Sequence, residues 1–432
     1  MNVNIKPAQI NGSIIVPSSK SLTHRAIILA TLADGESVIE NPLIADDTNI
    51  TLEACREFGA DIMVEKNKLV IRGTGGKLKI PLKPIDCGFS GTSLRLLTAV
   101  AALASGKVTL TGGVRLMERP MEPLLKALRQ LGTRAQSEGR HLVVEGGGLR
   151  GGRLAISGEA SSQFISALFM VASYANKEVI IKLIGDVRSR PYIDLTLDVM
   201  RTFGGQVGEK GNNEYIVSPH IYCATHYQIE GDWSAAQYWV AAAVVTGGSV
   251  TLQGMKGDSR QGDKMILEVA EKMGCLVQIK DGHIMVTGPK KLSSIVIDGG
   301  DVPDLAPTIA VMAAFADGES KIINIAHLRA KESDRLAVPV MELAKMGIRA
   351  EANDDSLIVY GGKPKGAVID THNDHRIAMA FGVAGLGAEG EMVIEGAEAV
   401  SKSYPQFWDD FKHLTHPSFP RRRESRKNKK SN

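Results

Sequence analysis

The sequence predicts an α/β fold made of six copies of one βαβαββ unit, divided between two domains. An alanine-rich apolar run, a Gly-type turn and a β-branched strand recur around Gly35, Gly106, Asn176, Gly248, Gly318 and Gly390, roughly 71 residues apart. A helical run closing on Leu-Gly, Phe-Gly or Met-Gly recurs between them, at Gly59, Gly132, Gly204, Gly274 and Gly347, and two short strands follow each. A length of 432 residues exceeds what one hydrophobic core holds, and 44% hydrophobic with 23% charged residues is an ordinary globular composition.

Opening strands are expected at 13–16, 78–81, 153–156, 227–230, 295–298 and 367–370. First helices follow at about 21–33, 92–105, 162–175, 234–246, 305–316 and 375–387; they are apolar on nearly every face, the mark of helices buried in a domain interior. Second helices are expected at about 48–58, 121–131, 192–203, 263–273, 334–346 and 404–414. They alternate apolar and charged positions, so each keeps a wet face. The sixth copy lacks its last strands, and residues 3–6 are positioned to supply one. The division is therefore three units in 19–229 and three in 230–415 together with 1–18. The chain crosses between the domains near 17–19 and 230–232, which form the expected hinge.

The first ten residues carry no basic and apolar leader pattern, and no apolar run reaches the ~20 residues of a membrane span. Cys55, Cys87, Cys223 and Cys275 are scattered, which predicts neither a zinc site nor a disulfide framework and fits a reducing, cytoplasmic location. The net charge of +3 comes from the last twelve residues, which hold seven basic side chains and one Glu. That basic tail, 416–432, is expected to be disordered; the rest of the chain has no basic stripe that would suit nucleic acid.

The unusual residues cluster just before the helices. The first helices open at Ser18-Ser19-Lys20-Ser21, Ser90-Gly91-Thr92-Ser93, Ser161-Ser162-Gln163, Asp232-Trp233-Ser234, Pro303-Asp304 and Asn373-Asp374-His375-Arg376. Ser, Asp and Asn are simply good N-caps. Capping does not account for Lys20, Arg25, Arg95 and Arg376, because cations at a helix N-terminus oppose its dipole. The second helices add Arg119, Lys331, Arg335 and Lys402. Free backbone N–H groups and converging cations suit substrates that carry several phosphate and carboxylate groups. No P-loop, dinucleotide fingerprint or zinc motif is present, so neither a metal nor a cofactor is expected.

The stretches PSSKSLTHRA, SGTSLR, ERPMEPL, SSQF, RPYIDLTL, DVPDLAPTIA, RAKESDRL, NDHRIAMA and SKSYP stand in the order found in the EPSP (5-enolpyruvylshikimate-3-phosphate) synthase family. The chain resembles that family from about residue 12 to 414. The resemblance implies a two-domain inside-out α/β barrel, with three units per domain about a pseudo-threefold axis and the site between the domains. It implies transfer of the enolpyruvyl group of phosphoenolpyruvate to the 5-hydroxyl of shikimate-3-phosphate, in aromatic amino acid (chorismate) biosynthesis. Shikimate-3-phosphate would be held by Lys20, Ser21, Arg25, Ser161, Ser162, Gln163, Ser189, Asp304 and Lys331. Phosphoenolpyruvate would be held by Lys20, Gly91, Arg119, Gln163, Arg335, Arg376 and Lys402. Asp304 and Glu332 would move protons, with Lys20 and His375 beside them. A monomer is expected, with neither nucleic acid nor membrane as partner.

Four positions depart from the family's pattern: Ser18 stands where it commonly has Gly, His24 where it commonly has Asn before the Arg, Leu96 where one subgroup has Pro, and His327 where that subgroup has Asn. The last two bear on subgroup and on glyphosate sensitivity. The nearest rival is a sister enzyme that enolpyruvylates a UDP-amino sugar. It typically has Lys-Asn where this chain has Lys20-Ser21, and often a reactive Cys in a stretch where 111–123 has none.

Overall fold

The computed structural model describes residues 1–159, 161–211, 213–280 and 282–415. The basic tail at 416–432 lies outside them. Two separate hydrophobic cores are present. One runs from Leu22 to Ile229, and the other joins Ile5–Val16 to Trp233–Leu414.

The first helices form the middle of each core. Every residue is buried from Leu22 to Leu32, from Trp233 to Val244 and from His375 to Leu386. Helices Trp233–Thr246, Ala306–Ala314 and His375–Gly387 pack on one another, and Gly91–Ala101 packs on Ser162–Ala172. Each buried Leu or Ile there contributes about 1.5–3 kcal/mol over an exposed one. The second helices are one-sided: in Glu122–Gln130 the buried residues are Leu124, Leu125, Ala127 and Leu128. Their terminal glycines take left-handed backbone, with φ of 96° at Gly132 and 100° at Gly274. A side chain would strain that helix end.

Among the described residues, five four-stranded sheets share one order. The strand after each first helix lies between a parallel opening strand and an antiparallel hairpin. An example is Val179–Ile184, between Gly152–Ser157 and Glu214–Val217, with Val207–Glu209 at the edge. In the sixth sheet Met392–Glu395 lies parallel to Val368–Asp370, and the N-terminal strand Asn2–Ile5 closes its other side in antiparallel register.

Two strand expectations need correction. Residues 78–81 form no strand, and the opening strand of that unit is Ile85–Asp86, parallel to Lys107–Thr111. Pro81 and Pro84 flank the intervening loop, proline offers no ladder N–H, and Leu82 is 97% exposed. The strands opening the first and fourth units are also exchanged. Asn11–Ile15 pairs with Ser249–Gln253 of the fourth unit, while His226–Gln228 pairs with Glu36–Glu40 of the first. The exchange follows from the two crossings lying side by side. Ser19 N–H donates to Glu230 O at 2.8 Å, and Asp232 N–H donates to Pro17 O at 2.8 Å.

Candidate active site

Most of the helix starts singled out above behave as caps. Ser90, Asp232 and Asp374 accept from the backbone N–H of Ser93, Ser234 and Arg376 at 3.2, 2.8 and 2.9 Å, and Ser19 and Ser161 cap more loosely. Asp304 does not cap. Its helix begins after Leu305, and its carboxylate accepts instead from Arg335 Nη1 at 2.7 Å and Arg376 Nη2 at 2.8 Å.

The helix starts converge on a cavity of about 260 Å³ between the two cores. Its wall contains Lys20, Ser21, Arg25, Gly91, Arg119, Ser161, Ser162, Gln163, Ser189, Asp304, Lys331, Glu332, Arg335 and His375, brought together from five of the six units. A Cβ at Gly91 would stand 2.6 Å from Arg119 Nη1, so a side chain there would displace that guanidinium. Ser189 makes no side-chain cap, holds a left-handed φ of 54° and lines the cavity.

Two expected residues are not in the wall. Arg376 lies behind Asp304, donating to Ser234 O at 2.6 Å and Tyr238 Oη at 3.2 Å. Lys402 lies behind Glu332, donating to its Oε1 at 3.1 Å and, across the cleft, to Phe89 O at 2.9 Å. Arg25 is in the wall but committed to the protein: it donates to Thr196 Oγ1 at 2.7 Å, Ser21 O at 2.8 Å and Ser166 Oγ at 3.1 Å. Burial lowers its guanidinium to about 10.

The electrostatics are those of a crowded cationic site. Burial pushes both cavity carboxylates up, but neighbouring cations outweigh it. Arg376, Arg335 and Lys331 hold Asp304 well below the usual carboxylate range, and Lys402, Arg119 and Arg335 do the same for Glu332. Arg335 joins the two, donating to Glu332 Oε2 at 3.1 Å as well as to Asp304, and is itself anchored by Asp374, 2.8 Å from its Nε. Lys331 is brought down to about 8 by burial and by Arg335 and Arg119, against the pull of Asp304. His375 is held neutral by burial and by Lys20, Arg376 and Lys402, and neither ring nitrogen has a hydrogen-bond partner.

The wall also holds Thr92, Arg95 and His327, noted in the sequence but given no ligand to hold, and Glu159, Arg188 and Tyr192, which were given no role. Arg188 and Tyr192 flank Ser189 in a stretch already marked as a helix start, so position was the available signal. Asp47, which accepts from Lys20 Nζ at 3.0 Å, carried none, because an Asp in the first turn of a helix is unremarkable.

Residues 5–411 match the family model for EPSP synthase (3-phosphoshikimate 1-carboxyvinyltransferase). The chain belongs to the EPSP synthase family. It is 41% identical over 415 residues to a 3-phosphoshikimate 1-carboxyvinyltransferase of Methanocaldococcus jannaschii, covering 95% of this chain and 97% of the relative. It is 42% identical over 424 residues to the enzyme of that name from Methanosarcina acetivorans, covering 96% and 98%. A solved EPSP synthase structure from Acinetobacter baumannii superimposes with a TM-score of 0.80 at 29% identity, covering 96% of this chain and 98% of that one. The chain therefore has the two-domain α/β fold of that family.

Proposed function

We propose that the cavity transfers the enolpyruvyl group of phosphoenolpyruvate to the 5-hydroxyl of shikimate-3-phosphate and releases phosphate. The observation that carries this reading is Arg335, which stands between two carboxylates, Asp304 and Glu332, inside one cationic cavity. The chemistry needs those parts. An enol carbon becomes electrophilic only once the neighbouring methylene carbon takes a proton. The sugar hydroxyl then gives up its own proton as it attacks. The tetrahedral adduct loses a proton from the new methyl carbon and expels phosphate, restoring the enol double bond. The cycle uses an acid that reverses into a base, a second base at the hydroxyl, and cations for the leaving phosphate.

In this reading Glu332 serves the methylene carbon and Asp304 the hydroxyl. Ser161, Ser162, Gln163, Ser189, Ser21, Arg25 and Lys331 hold the sugar phosphate. Lys20, Gly91, Arg119, Gln163 and Arg335 hold phosphoenolpyruvate, with Arg376 and Lys402 acting from behind the carboxylates and His375 lining the floor. Glu332 is ionised among its cations, so its acid role depends on substrate anions offsetting that field. A coupled phosphate-release assay with both substrates and no added metal tests the reading. Turnover is expected, and activity with a UDP-amino sugar in place of shikimate-3-phosphate would overturn it.

The reading also divides the chain into an inside-out α/β barrel domain at 19–229 and another at 1–18 with 230–415. Each has three βαβαββ units about a pseudo-threefold axis, and the two cores and the shared sheet order support this. It includes closure about the paired crossings when shikimate-3-phosphate binds. X-ray scattering should show a smaller radius of gyration at demonstrated saturation with both ligands, and an unchanged profile would refute closure. The reading needs no second subunit at the site, since one chain supplies both walls of the cavity, and it takes the protein as a monomer. Four free cysteines support a cytoplasmic location.

A further inference from the structure

Behind the cavity, Tyr192 and Asp263 meet across the boundary between the two cores. Tyr192 belongs to the helix Arg190–Thr202, and Asp263 to the short turn Gly262–Met265 beside the helix Trp233–Thr246. Asp263 is 1% exposed. Its Oδ2 accepts from Tyr192 Oη at 3.3 Å and from the Ser234 hydroxyl. Its Oδ1 is buried without a partner, beside a cavity of about 10 Å³ that Ser21 and Tyr192 line from one half and Ser234 and Gly262 from the other. The halves approach so closely here that a Cβ on Gly262 would stand 2.8 Å from Pro191 Cγ.

Both ends of this contact lead to the reacting groups. Tyr192 lines the main cavity, and its carbonyl accepts from Arg25 Nη2 at 3.2 Å. The Ser234 carbonyl accepts from Arg376 Nη1, whose other nitrogen donates to Asp304. We propose that Asp263 is a positioning residue for the transfer: by gathering Tyr192 from one half and Ser234 from the other onto one oxygen, it completes the closed cleft and sets where Arg376 holds Asp304. This rests on the assignment of Asp304 given above.

The contact is sensitive to charge. Burial pushes the Asp263 carboxyl up to about 7, with Asp304 and Asp232 adding to the shift while Arg376 and the Ser234 hydroxyl oppose it. Those groups and Tyr192 are what face it from the neighbouring elements. On its own turn, Lys264 points its ammonium away, to Gly257 O. Below about pH 7 Asp263 is neutral. Above it, the group carries a buried charge beside the Asp304 and Asp232 carboxylates, a cost borne in the closed arrangement that outweighs its stronger hydrogen bonds to Ser234 and Tyr192. Closure is therefore favoured on the acid side of this step and loosened on the alkaline side.

Steady-state kinetics of the full-length chain across neutral pH test this. Asp263→Ala should raise KM for shikimate-3-phosphate about tenfold while lowering kcat less, since two buried donors lose their acceptor. Asp263→Asn, uncharged at every pH, should restore KM and remove the decline in kcat/KM as pH rises through about 7. Tyr192→Phe should raise KM similarly, and the double variant Tyr192→Phe with Asp263→Ala should be no worse than either single one. If Asp263→Ala does not fold, Tyr192→Phe with Asp263→Asn completes the cycle. A folded Asp263→Ala with wild-type KM would overturn the proposal. So would an Asp263→Asn profile that keeps the wild-type decline, or strictly additive effects. Retention of kcat by Asp304→Asn would remove the base assignment but leave the Tyr192–Asp263 coupling readable in KM, so the two failures are distinguishable.

Discussion

The two walls of the cavity are built from different chemistry. The half that ends at Ile229 offers neutral donors, Ser21, Thr92, Ser161, Ser162, Gln163 and Ser189, set among the cations Lys20, Arg25, Arg95, Arg119 and Arg188. Two of its arginines are tied up internally, Arg25 on Thr196 and Ser166, and Arg95 on Gln163. The opposite half offers a linked set of charges, in which Arg335 joins Asp304, Glu332 and Asp374 while Arg376 and Lys402 brace the two carboxylates from behind. Fixed neutral donors recognise a shape. A wall of mutually compensated charges holds proton-transfer groups in place at little reorganisation when charge moves. On the function proposed above, the contrast would place more of the recognition on one half and the proton transfers on the other.

The largest expected effect is on the charged wall. Asp304→Asn and Glu332→Gln should each lower kcat by on the order of 10²–10⁴, with a smaller change in KM. Near-native kcat in either folded variant would break the contrast at its centre. At the neutral donors the effects should be smaller and fall in the other parameter. Ser161→Ala and Ser162→Ala should raise KM for shikimate-3-phosphate roughly 10- to 100-fold, the scale of a lost hydrogen bond to a charged group, with kcat close to wild type. A drop in kcat as large as that of the carboxylate variants would erase the distinction.

Lys331 sharpens the comparison through pH. Its ammonium is held down to about 8, so it is cationic below that value and loses its charge as pH rises through it. Attraction for anionic substrates is then lost, and KM should climb on the alkaline side of about pH 8. In Lys331→Met, KM should be raised at every pH and should lack that step; an unaltered step would assign it to another group. The smallest effect is expected from removing 416–432. Turnover should not change, while retention on a heparin column should fall with the loss of six net positive charges. A measurable loss of activity would place the tail in the function.

Much of the fold was legible because it is local. The second helices end where Gly132 and Gly274 take left-handed backbone, and Leu-Gly and Met-Gly mark those points in the sequence. The first helices were recognisable as interior ones because apolar residues cover every face, as from Trp233 to Val244. Strand 78–81 was misplaced because Leu-Lys-Ile-Pro alternates like a strand, while the ladder N–H groups come only with Ile85 and Asp86. In the site, Asp304 stood out by its helix start; Asp47, Tyr192 and Asp263 did not, since their significance depends on what lies opposite.

The sequence by itself determined the repeat, the helix caps and turns, and the set of cations and carboxylates at the helix starts, because each depends on neighbours within a few residues. Tertiary structure decided which opening strand serves which unit. Asn11–Ile15 and His226–Gln228 are both short strands, and only the hydrogen-bonded crossings at Pro17–Asp232 and Ser19–Glu230 assign them. It also decided which cations face the cavity and which are already committed. Arg25 meets Thr196 from 171 residues away, Lys402 meets Glu332 from 70 and Arg376 meets Asp304 from 72. Which cations face the cavity and which brace its carboxylates from behind depends on such long-range partners, and a sequence does not display them.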